Sequence, residues 1–390
     1  MSQHAVNPDV IIVGAGVAGS VVATLLDRRG FRVIVLDMCH PLPYSFRAEK
    51  LSADQLARLS RLDLLNVIDR AGRTVGTVAG SSSAEIAQGT STGQQGLFYA
   101  DLVNAFRGAL PPSVDFQCGK VRDISNSPTL QTVVVDEKEP LQARLVVVAS
   151  GRSATLLSQL GIRKQMLSAS HSMAFGFSIR ASRGGRFGFQ ELLYRADHTA
   201  SRIAFVSLFR IGDTMRVNMF TYWDAQESHC RWLIDDTHAC LNEIVPELTR
   251  RTGQFEVVSR VDRCPGHLQR VEGHLQPGIV LVGDAYQTNC PATGTGITKL
   301  LNDAECLCNR HIPEWFATPG MPIEKVARYY SDPRKMAYDS ESLSEAIAMR
   351  RLALDSSLRG QWRRLARGWK RSVCQWWQPS STGAIPVGHS

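Results

Sequence analysis

The chain lacks most features that would settle its class at once. No Cys-x-x-Cys pair occurs among its nine cysteines, which fall at 39, 118, 230, 240, 264, 290, 306, 308 and 374. That scatter suggests neither a zinc ribbon nor a disulfide framework, and it fits reduced thiols in a cytoplasm. No apolar run approaches the roughly 18 residues that a membrane-spanning helix needs. The first residues, MSQHAVNPDV, have no charged segment followed by a long apolar core, so they do not read as a signal peptide. No internal repeat is visible. Only 21% of residues are charged, and part of the net +8 sits near the C-terminus. Elsewhere the signs are mixed, so no nucleic-acid footprint is expected. What is present, 390 residues at 44% apolar content, is a globular chain with room for two or three structural units.

The stretch DVIIVGAGVAGSVVATLLDRRGFRVIVLD can be read unit by unit. Val10 to Val13 is a β-branched run suited to a buried strand. Gly14, Gly16 and Gly19 follow at once in G-x-G-x-x-G spacing. Ser20 to Arg28 reads as a helix with Val21, Val22, Leu25 and Leu26 on its apolar face, and Gly30 stops it. Phe31 to Leu36 is a second strand that ends on Asp37. Each glycine has a mechanical task in this arrangement. Gly14 permits a tight turn, Gly16 lets a pyrophosphate approach the backbone, and Gly19 lets helix pack on strand. The phosphates would rest on free N–H groups at a helix N-terminus. Asp37 can accept hydrogen bonds from a ribose diol, and its charge disfavours the 2′-phosphate of NADPH at this site. The motif does not separate FAD from NAD, because both carry an ADP half.

A later stretch, GIVLVGDAYQTNCPATGTGITKLLNDAECL, breaks that tie. Ile279 to Val282 is a buried strand that stops at Gly283-Asp284. Asp284 at the strand's end can bind a ribityl or ribose hydroxyl, or a phosphate-linked water. Pro291 and Gly294-Thr295-Gly296 shape a loop that exposes backbone N–H groups. A helix over 297–308 comes next, with Leu300, Leu301, Ala304 and Leu307/Cys308 on one side. Its N-terminus carries partial positive charge, which would stabilise an anionic reduced flavin ring.

Together these motifs resemble the FAD-dependent aromatic hydroxylases, the single-component flavoprotein monooxygenases of the p-hydroxybenzoate hydroxylase type. The family's second FAD motif reads roughly Gly-Asp-Ala-Ala-His-x-x-x-Pro-x-x-Gly-x-Gly-x-Asn, then Asp-Ala. The chain has Gly283-Asp284-Ala285-Tyr286-Gln287, then Pro291, Gly294, Gly296, Thr298 and Asp303-Ala304. Tyr286, Gln287 and Thr298 depart from the usual Ala, His and Asn. Arg47, in SFRAEKLSADQLARLSRLDLLNVI, stands where the family has an FAD-contacting Arg, and LFYADLVNAFRGAL matches further. The resemblance covers residues 9–310. It implies FAD contacts at Gly14, Gly16, Gly19, Asp37, Arg47, Val121, Gly283, Asp284, Gly294, Gly296 and Ile297. One departure bears on the reductant. Where the family has Ala-Asp-Gly-x-x-Ser, this chain has Ala149-Ser150-Gly151-Arg152-Ser153. That Ser-Gly-Arg form is closer to flavin halogenases and geranylgeranyl-type reductases. It leaves NADH, NADPH and a separate flavin reductase open as electron sources.

The resemblance implies an α/β fold: a Rossmann-like FAD-binding domain, an antiparallel β-sheet substrate domain and C-terminal helices. The FAD domain is expected to be discontinuous, taking 1–75, 96–165 and 265–335. Residues 80–96, rich in Gly, Ser, Thr and Gln, read as an exposed loop or hairpin. Residues 76–95 and 166–264 would form the sheet domain, with runs such as HSMAFGFSIRA, GFQELLYRA, RIAFVSLFRI and TMRVNMFTYWD and a turn at Ile211–Thr214. Phe205, Leu208, Met219, Phe220 and Tyr222 are candidates for its flavin-facing side. Residues 336–390 would be a C-terminal helical segment. There Leu358, Trp362, Leu365, Trp369, Val373 and Trp376 share one helical face, with Arg and Lys on the others. That face fits a peripheral contact with anionic lipid, or packing on the body or on a second subunit.

In the family, reduced FAD and O₂ form a C4a-hydroperoxide that attacks an electron-rich carbon. The resemblance therefore implies hydroxylation or epoxidation of a small aromatic or polyketide-like molecule, with O₂ as co-substrate. Pro291, Tyr222 and Arg216 are the candidates for the chemistry, with Tyr194 and His171 weighed beside them as bases for a phenol. His171, in a polar Ser-x-His-Ser stretch, could simply be exposed. A halogenase or a geranylgeranyl-type reductase is the alternative, although the halogenase Trp-x-Trp-x-Ile-Pro motif is missing. A non-catalytic FAD-binding accessory protein is the reading from another class.

Overall fold

A computed structural model describes residues 7–75, 79–80, 94–195 and 199–357. The chain opens with β1 (Val10–Val13), α1 (Val17–Asp27) and β2 (Val33–Asp37). Every residue of β1 is buried, as expected of a strand covered on both faces. α1 begins three residues before the apolar pattern predicts, because the glycine turn ends at Gly16, which is the helix N-cap. Gly30 ends the unit with a φ of +81°. β3 (Ala48–Leu51) then leads into α2 (Ala53–Arg61). A reciprocal cap opens α2: the Gln55 N–H donates to Ser52 Oγ at 3.3 Å, and the Ser52 N–H donates to Gln55 Oε1 at 2.9 Å.

After α3 (Leu65–Val75) come β4 (Ala79–Gly80), β5 (Gln94–Phe98) and α4 (Tyr99–Gly108). β4 pairs antiparallel with β5, so the ends of the Gly/Ser/Thr/Gln-rich stretch form a hairpin. Its middle lies outside the described residues. β6 (Asp115–Cys118) is followed by β7 (Val121–Ser125), β8 (Gln131–Val135) and β9 (Leu141–Ala143), an antiparallel set of three. β10 (Leu145–Val148) and α5 (Thr155–Gln159) lead to the 19-residue β11 (Arg163–Ala181).

The second half begins with β12 (Glu191–Tyr194), β13 (Ile203–Ile211) and β14 (Thr214–Thr221). The last two are joined by the turn expected at Gly212, whose φ is +61°. Three helices, α6 (Ser228–Asp235), α7 (Thr237–Ile244) and α8 (Pro246–Thr252), precede β15 (Phe255–Val257), β16 (Asp262–Glu272) and β17 (Ile279–Leu281). α9 (Gly296–Cys306), α10 (Ile312–Phe316), α11 (Ile323–Tyr330) and α12 (Pro333–Leu354) complete the described chain. The Trp-bearing face beyond residue 357 lies outside the described residues. Among the described residues no helix is long and apolar enough to cross a membrane.

Two sheets carry the architecture. The first is parallel, in the order β17-β10-β1-β2-β6. Its register sets Val13 beside Leu36 and Val148, and Val148 beside Leu281. The four strand ends therefore share one edge, which brings Gly14, Asp37, Ser150 and Gly283 together. The second sheet is antiparallel, β12-β13-β14-β11-β15, with β16 along β11. Alternation along β11 sends Met173, Phe175, Phe177 and Ile179 to one face, where they pack with Val206, Leu208 and Met219 and with residues of α6–α8. Phe205 and Phe220 lie on the other face, with ring centroids 4.9 Å apart, in a cluster with Leu268, Cys290, Ala292 and Ala346. Leu208 and Met219 thus face away from that cluster. The five candidates for one common face are therefore split between two: Leu208 and Met219 on one, Phe205 and Phe220 on the other.

A closed set of four buried charges holds the end of β17 in place. Lys299 Nζ lies 3.2 Å from Asp303 and 3.0 Å from Asp339, and Lys335 Nζ lies 3.0 and 3.1 Å from the same two. Asp303 also accepts the Gly283 N–H at 2.9 Å. Burial opposes the charge on Asp303, but Lys299 and Lys335 still hold its pKa below the usual carboxylate range. Removing one partner would strand a buried charge. Lys335→Ala should therefore lower stability by about 3–5 kcal/mol, while Lys335→Met with Asp339→Leu should lose less because a whole pair is neutralised. Urea midpoints measure this, and an unchanged midpoint for Lys335→Ala would refute the network's role.

Candidate functional site

The first glycine turn shows three distinct tasks at three positions. Gly14 sits at φ +104°, and a Cβ there would lie 2.5 Å from the Ala149 carbonyl oxygen. At Gly19 a Cβ would lie 1.9 Å from the Gly14 carbonyl oxygen. At Gly16 it would meet only the Tyr99 hydroxyl, at 3.7 Å, so that residue faces open space at the start of α1. Asp37 closes the turn from the side. Its Oδ2 accepts the Ala15 N–H at 2.7 Å and pairs with Arg107 at 2.9 Å. Arg107 also donates to the Ala15 and Cys39 carbonyls. Among the described residues, the Cys39 N–H, at 3.3 Å, and its thiol approach Asp37 Oδ1, which keeps further accepting capacity. The Gly119 N–H donates to the Asp37 carbonyl and leads the chain into Val121, half-buried at the start of β7 beside this strand end. Arg107 is not among the site residues that the sequence points to. Its signal is the one cation of the α4 stretch that matches the family.

The second glycine turn meets the first at the same edge. Gly283 (φ +60°) begins a one-turn helix through Ala285. The Asp284 carboxylate has one hydrogen bond, from Asn289 Nδ2 at 3.3 Å, and no ion pair among the described residues. Burial raises its pKa, against the pull of Lys299, Arg152 and Arg47. Glu49 of β3 shares this environment: burial raises it too, with Arg47 opposing and Asp284 adding. The Ser150 hydroxyl, just past the end of β10, is buried without a partner among the described residues. Pro291 opens a turn that ends at Gly294 (φ +69°). Gln55 Nε2 clamps that turn by donating to the Gly294 carbonyl and to Thr298 Oγ1, both at 3.1 Å. Gly296 begins α9, and Ile297 places its side chain in the core, leaving only its backbone N–H to a ligand.

The departures from the family motif have local reasons. Tyr286 packs its ring on Lys335, 4.2 Å from the centroid, and on Tyr330, covering the four-charge set. Gln287 is buried and donates to the Asp339 carbonyl at 2.8 Å. Thr298 receives Gln55. Arg47 is exposed, with its guanidinium 4.0 Å from the Tyr99 ring centroid. Its charge is felt at Glu49, Asp284 and Tyr99, so it faces the same space.

The candidates for the chemistry part company. Tyr222 is buried at the end of β14 with its hydroxyl unpartnered, and burial raises its pKa. Cys290, the neighbour of Pro291, lies near enough to influence it. Arg216 is fully buried elsewhere. It donates to the Phe46 carbonyl and to Asn218 Oδ1, and Asn218 in turn donates to the Ala48 carbonyl. It thus braces the backbone on both sides of Arg47, in room left by Gly176, and burial lowers its pKa to about 10. Tyr194 belongs to the cluster on the sheet's other face. His171 is not exposed, contrary to expectation. Its ring is 2% exposed, with Nε2 3.2 Å from the Ala346 carbonyl and Nδ1 3.1 Å from Ser168 Oγ.

Comparison with known proteins shows the fold. OxyS anhydrotetracycline hydroxylase from Streptomyces rimosus superposes with a TM-score of 0.68 at 20% identity, over 95% of this chain and 74% of that one. p-Nitrophenol 4-monooxygenase PnpA from Pseudomonas putida gives 0.67 at 18% identity, over 94% and 93%. The chain has the fold of the FAD-dependent aromatic hydroxylases. In sequence, residues 9–192 match the lycopene cyclase protein family. Squalene monooxygenase of Rattus norvegicus is 24% identical over 383 residues, covering 90% of this chain. The chain spans 63% of that protein's length. The halogenase PltM, solved with FAD, superposes with a TM-score of 0.69 at 14% identity, over 89% and 76%.

The different tasks of the glycines can be measured without any ligand. Gly19→Ala should destabilise the protein by about 1–3 kcal/mol or prevent folding, because its Cβ meets backbone. Gly16→Ala should melt close to wild type. Equal melting temperatures for the two would mean that helix α1 does not pack on the turn as described.

Proposed function

We propose that the chain binds FAD across the edge where the two glycine turns meet, and that it is an FAD-dependent monooxygenase. On this reading it hydroxylates or epoxidises a small aromatic or polyketide-like substrate with O₂, drawing electrons from NADH, NADPH or a separate reductase. The observation that carries the reading is Asp284: a half-buried carboxylate with one long hydrogen bond among the described residues, at the same sheet edge as the Ser150 hydroxyl and two open glycine turns. Such a group needs donors, and the hydroxyls of a ribityl chain would supply them. The N-termini of α1 and α9 would face the anionic parts of the cofactor. Arg47 and Arg152 would add positive charge. The chemistry supplied by FAD, when bound, is activation of O₂ and transfer of one oxygen atom.

The protein's own groups would do the rest. Phe205, Phe220 and the Pro291 turn make an apolar wall that keeps water out. Tyr222, held neutral by burial, would donate a hydrogen bond to a substrate oxygen instead of removing a proton. Arg216 would hold Arg47 in position and would not touch the reacting atoms. The relatives named for p-nitrophenol, anhydrotetracycline and squalene are monooxygenases or hydroxylases, which favours this reading over halogenation. The domain division 1–75, 96–165 and 265–335 for the cofactor, with 76–95 and 166–264 for the substrate, goes with it.

The test has two parts. Gly16→Val and Asp284→Ala should purify folded and colourless, while wild type is yellow; stoichiometric FAD in Asp284→Ala would refute the assignment. Anaerobic titration of the wild type with NADH, NADPH and dithionite should bleach the flavin. Readmitted O₂ should then give a hydroxylated or epoxidised product from a suitable phenol or polyene, with no halide required. Product that appears only with halide would move the protein to the halogenases.

A further inference from the structure

Away from the glycine turns, a groove of about 580 Å³ runs between α12 and the β11–β16 pair. Its walls are apolar: Leu167 and Leu268 on the sheet side, Leu343 and Leu354 on the helix side. Ile347, at its margin, is 44% exposed, an apolar side chain left in water. Against this apolar lining stand Arg350 and Arg351. No carboxylate pairs with either among the described residues. Among the described residues the Arg350 guanidinium donates one hydrogen bond, to Ser168 Oγ, at 3.4 Å. Two uncompensated guanidinium groups over an apolar cleft are complementary to an apolar anion.

One of the groove's cations lies near Tyr222. The Arg350 guanidinium lies 5.9 Å from the Tyr222 ring centroid, and its charge acts on Tyr222, His171 and Cys290 alike. His171 forms part of the groove wall, and its ring stands edge-on to Tyr222. Because both His171 nitrogens are engaged within the protein, the ring is a wall and not a ligand group. Tyr222 differs, since its buried hydroxyl has no partner. Tyr222 thus stands directly behind two groove-lining residues, His171 and Arg350.

We infer that this groove is the outer arm of the substrate site and takes an apolar molecule carrying a carboxylate. The acid meets Arg350, the apolar body lies on Leu167, Leu268 and Leu343, and the far end reaches Tyr222. The inference rests on the monooxygenase reading for its meaning, but its binding step can be tested separately.

The experiment uses full-length protein as purified and measures binding of dodecanoate and of its methyl ester by titration calorimetry. Dodecanoate should bind at least about tenfold more tightly than the ester. Arg350→Gln should remove that preference. Ile347→Trp, a change at an exposed position that should not disturb folding, should weaken both ligands by obstructing the groove. If Arg350→Gln keeps the preference, or if Ile347→Trp binds both ligands as wild type does, the groove is not the binding arm. Flavin absorbance recorded on the same samples separates the two questions. A colourless protein that still prefers the acid would defeat the FAD reading alone, and a yellow protein without the preference would defeat the groove alone.

Discussion

A parallel sheet must deliver every strand to the same edge, and the rest of this molecule is arranged around that constraint. β1, β10 and β17 come from widely separated parts of the chain, yet the register of the sheet aligns Val13, Leu36, Val148 and Leu281. The segments leaving these strands are therefore neighbours in space. Gly14, Asp37, Ser150 and Gly283 become one surface, with the N-termini of two helices rising from it. No single motif makes that surface, because each contributes one side of a crevice that exists only when the strands pair.

The edge is held from behind by charge. Two lysines and two aspartates, all buried, alternate around a closed set, and one of the aspartates also fixes the turn at Gly283. Such a set is neutral overall, and each carboxylate is shared by two cations, so burial is tolerated where an isolated charge would not be. Tyr286 and Gln287, which look like departures from a familiar motif, are fitted to it: one covers Lys335 and the other reaches the backbone at Asp339. The set also anchors α12 to α9. The groove between α12 and the β11–β16 pair thus depends on the same four residues that position Asp284.

The antiparallel sheet separates two environments through alternation. One face is filled by its own side chains and by α6–α8, and it is simply a core. The other carries the Phe205–Phe220 pair and leads to Tyr222 and the Pro291 turn. β14 contributes to the site twice over. Tyr222 at its end stands by the Pro291 turn, while Arg216 reaches back to the segment before β3 that carries Arg47. A side chain far from the turn thereby braces the backbone next to Arg47.

The sequence by itself determined the local pieces. Glycine spacing, a β-branched strand and a terminal acid specify the turn at Gly14–Gly19, because each piece needs only its neighbours to form. The same is true of the strand-to-turn change at Gly283–Asp284 and of the hairpin at Gly212. Tertiary structure alone decided which of the polar residues act together. Arg107 reaches Asp37 across 70 residues, Gln55 reaches Gly294 across 239, and Lys335 meets Asp303 across 32. Tertiary structure also buried His171 against the Ala346 carbonyl and turned Leu208 and Met219 away from the Pro291 face. The physical reason is one of range. Backbone turns and periodicity act over a few residues, whereas desolvation and charge pairing depend on whichever segments the fold brings within a few ångströms.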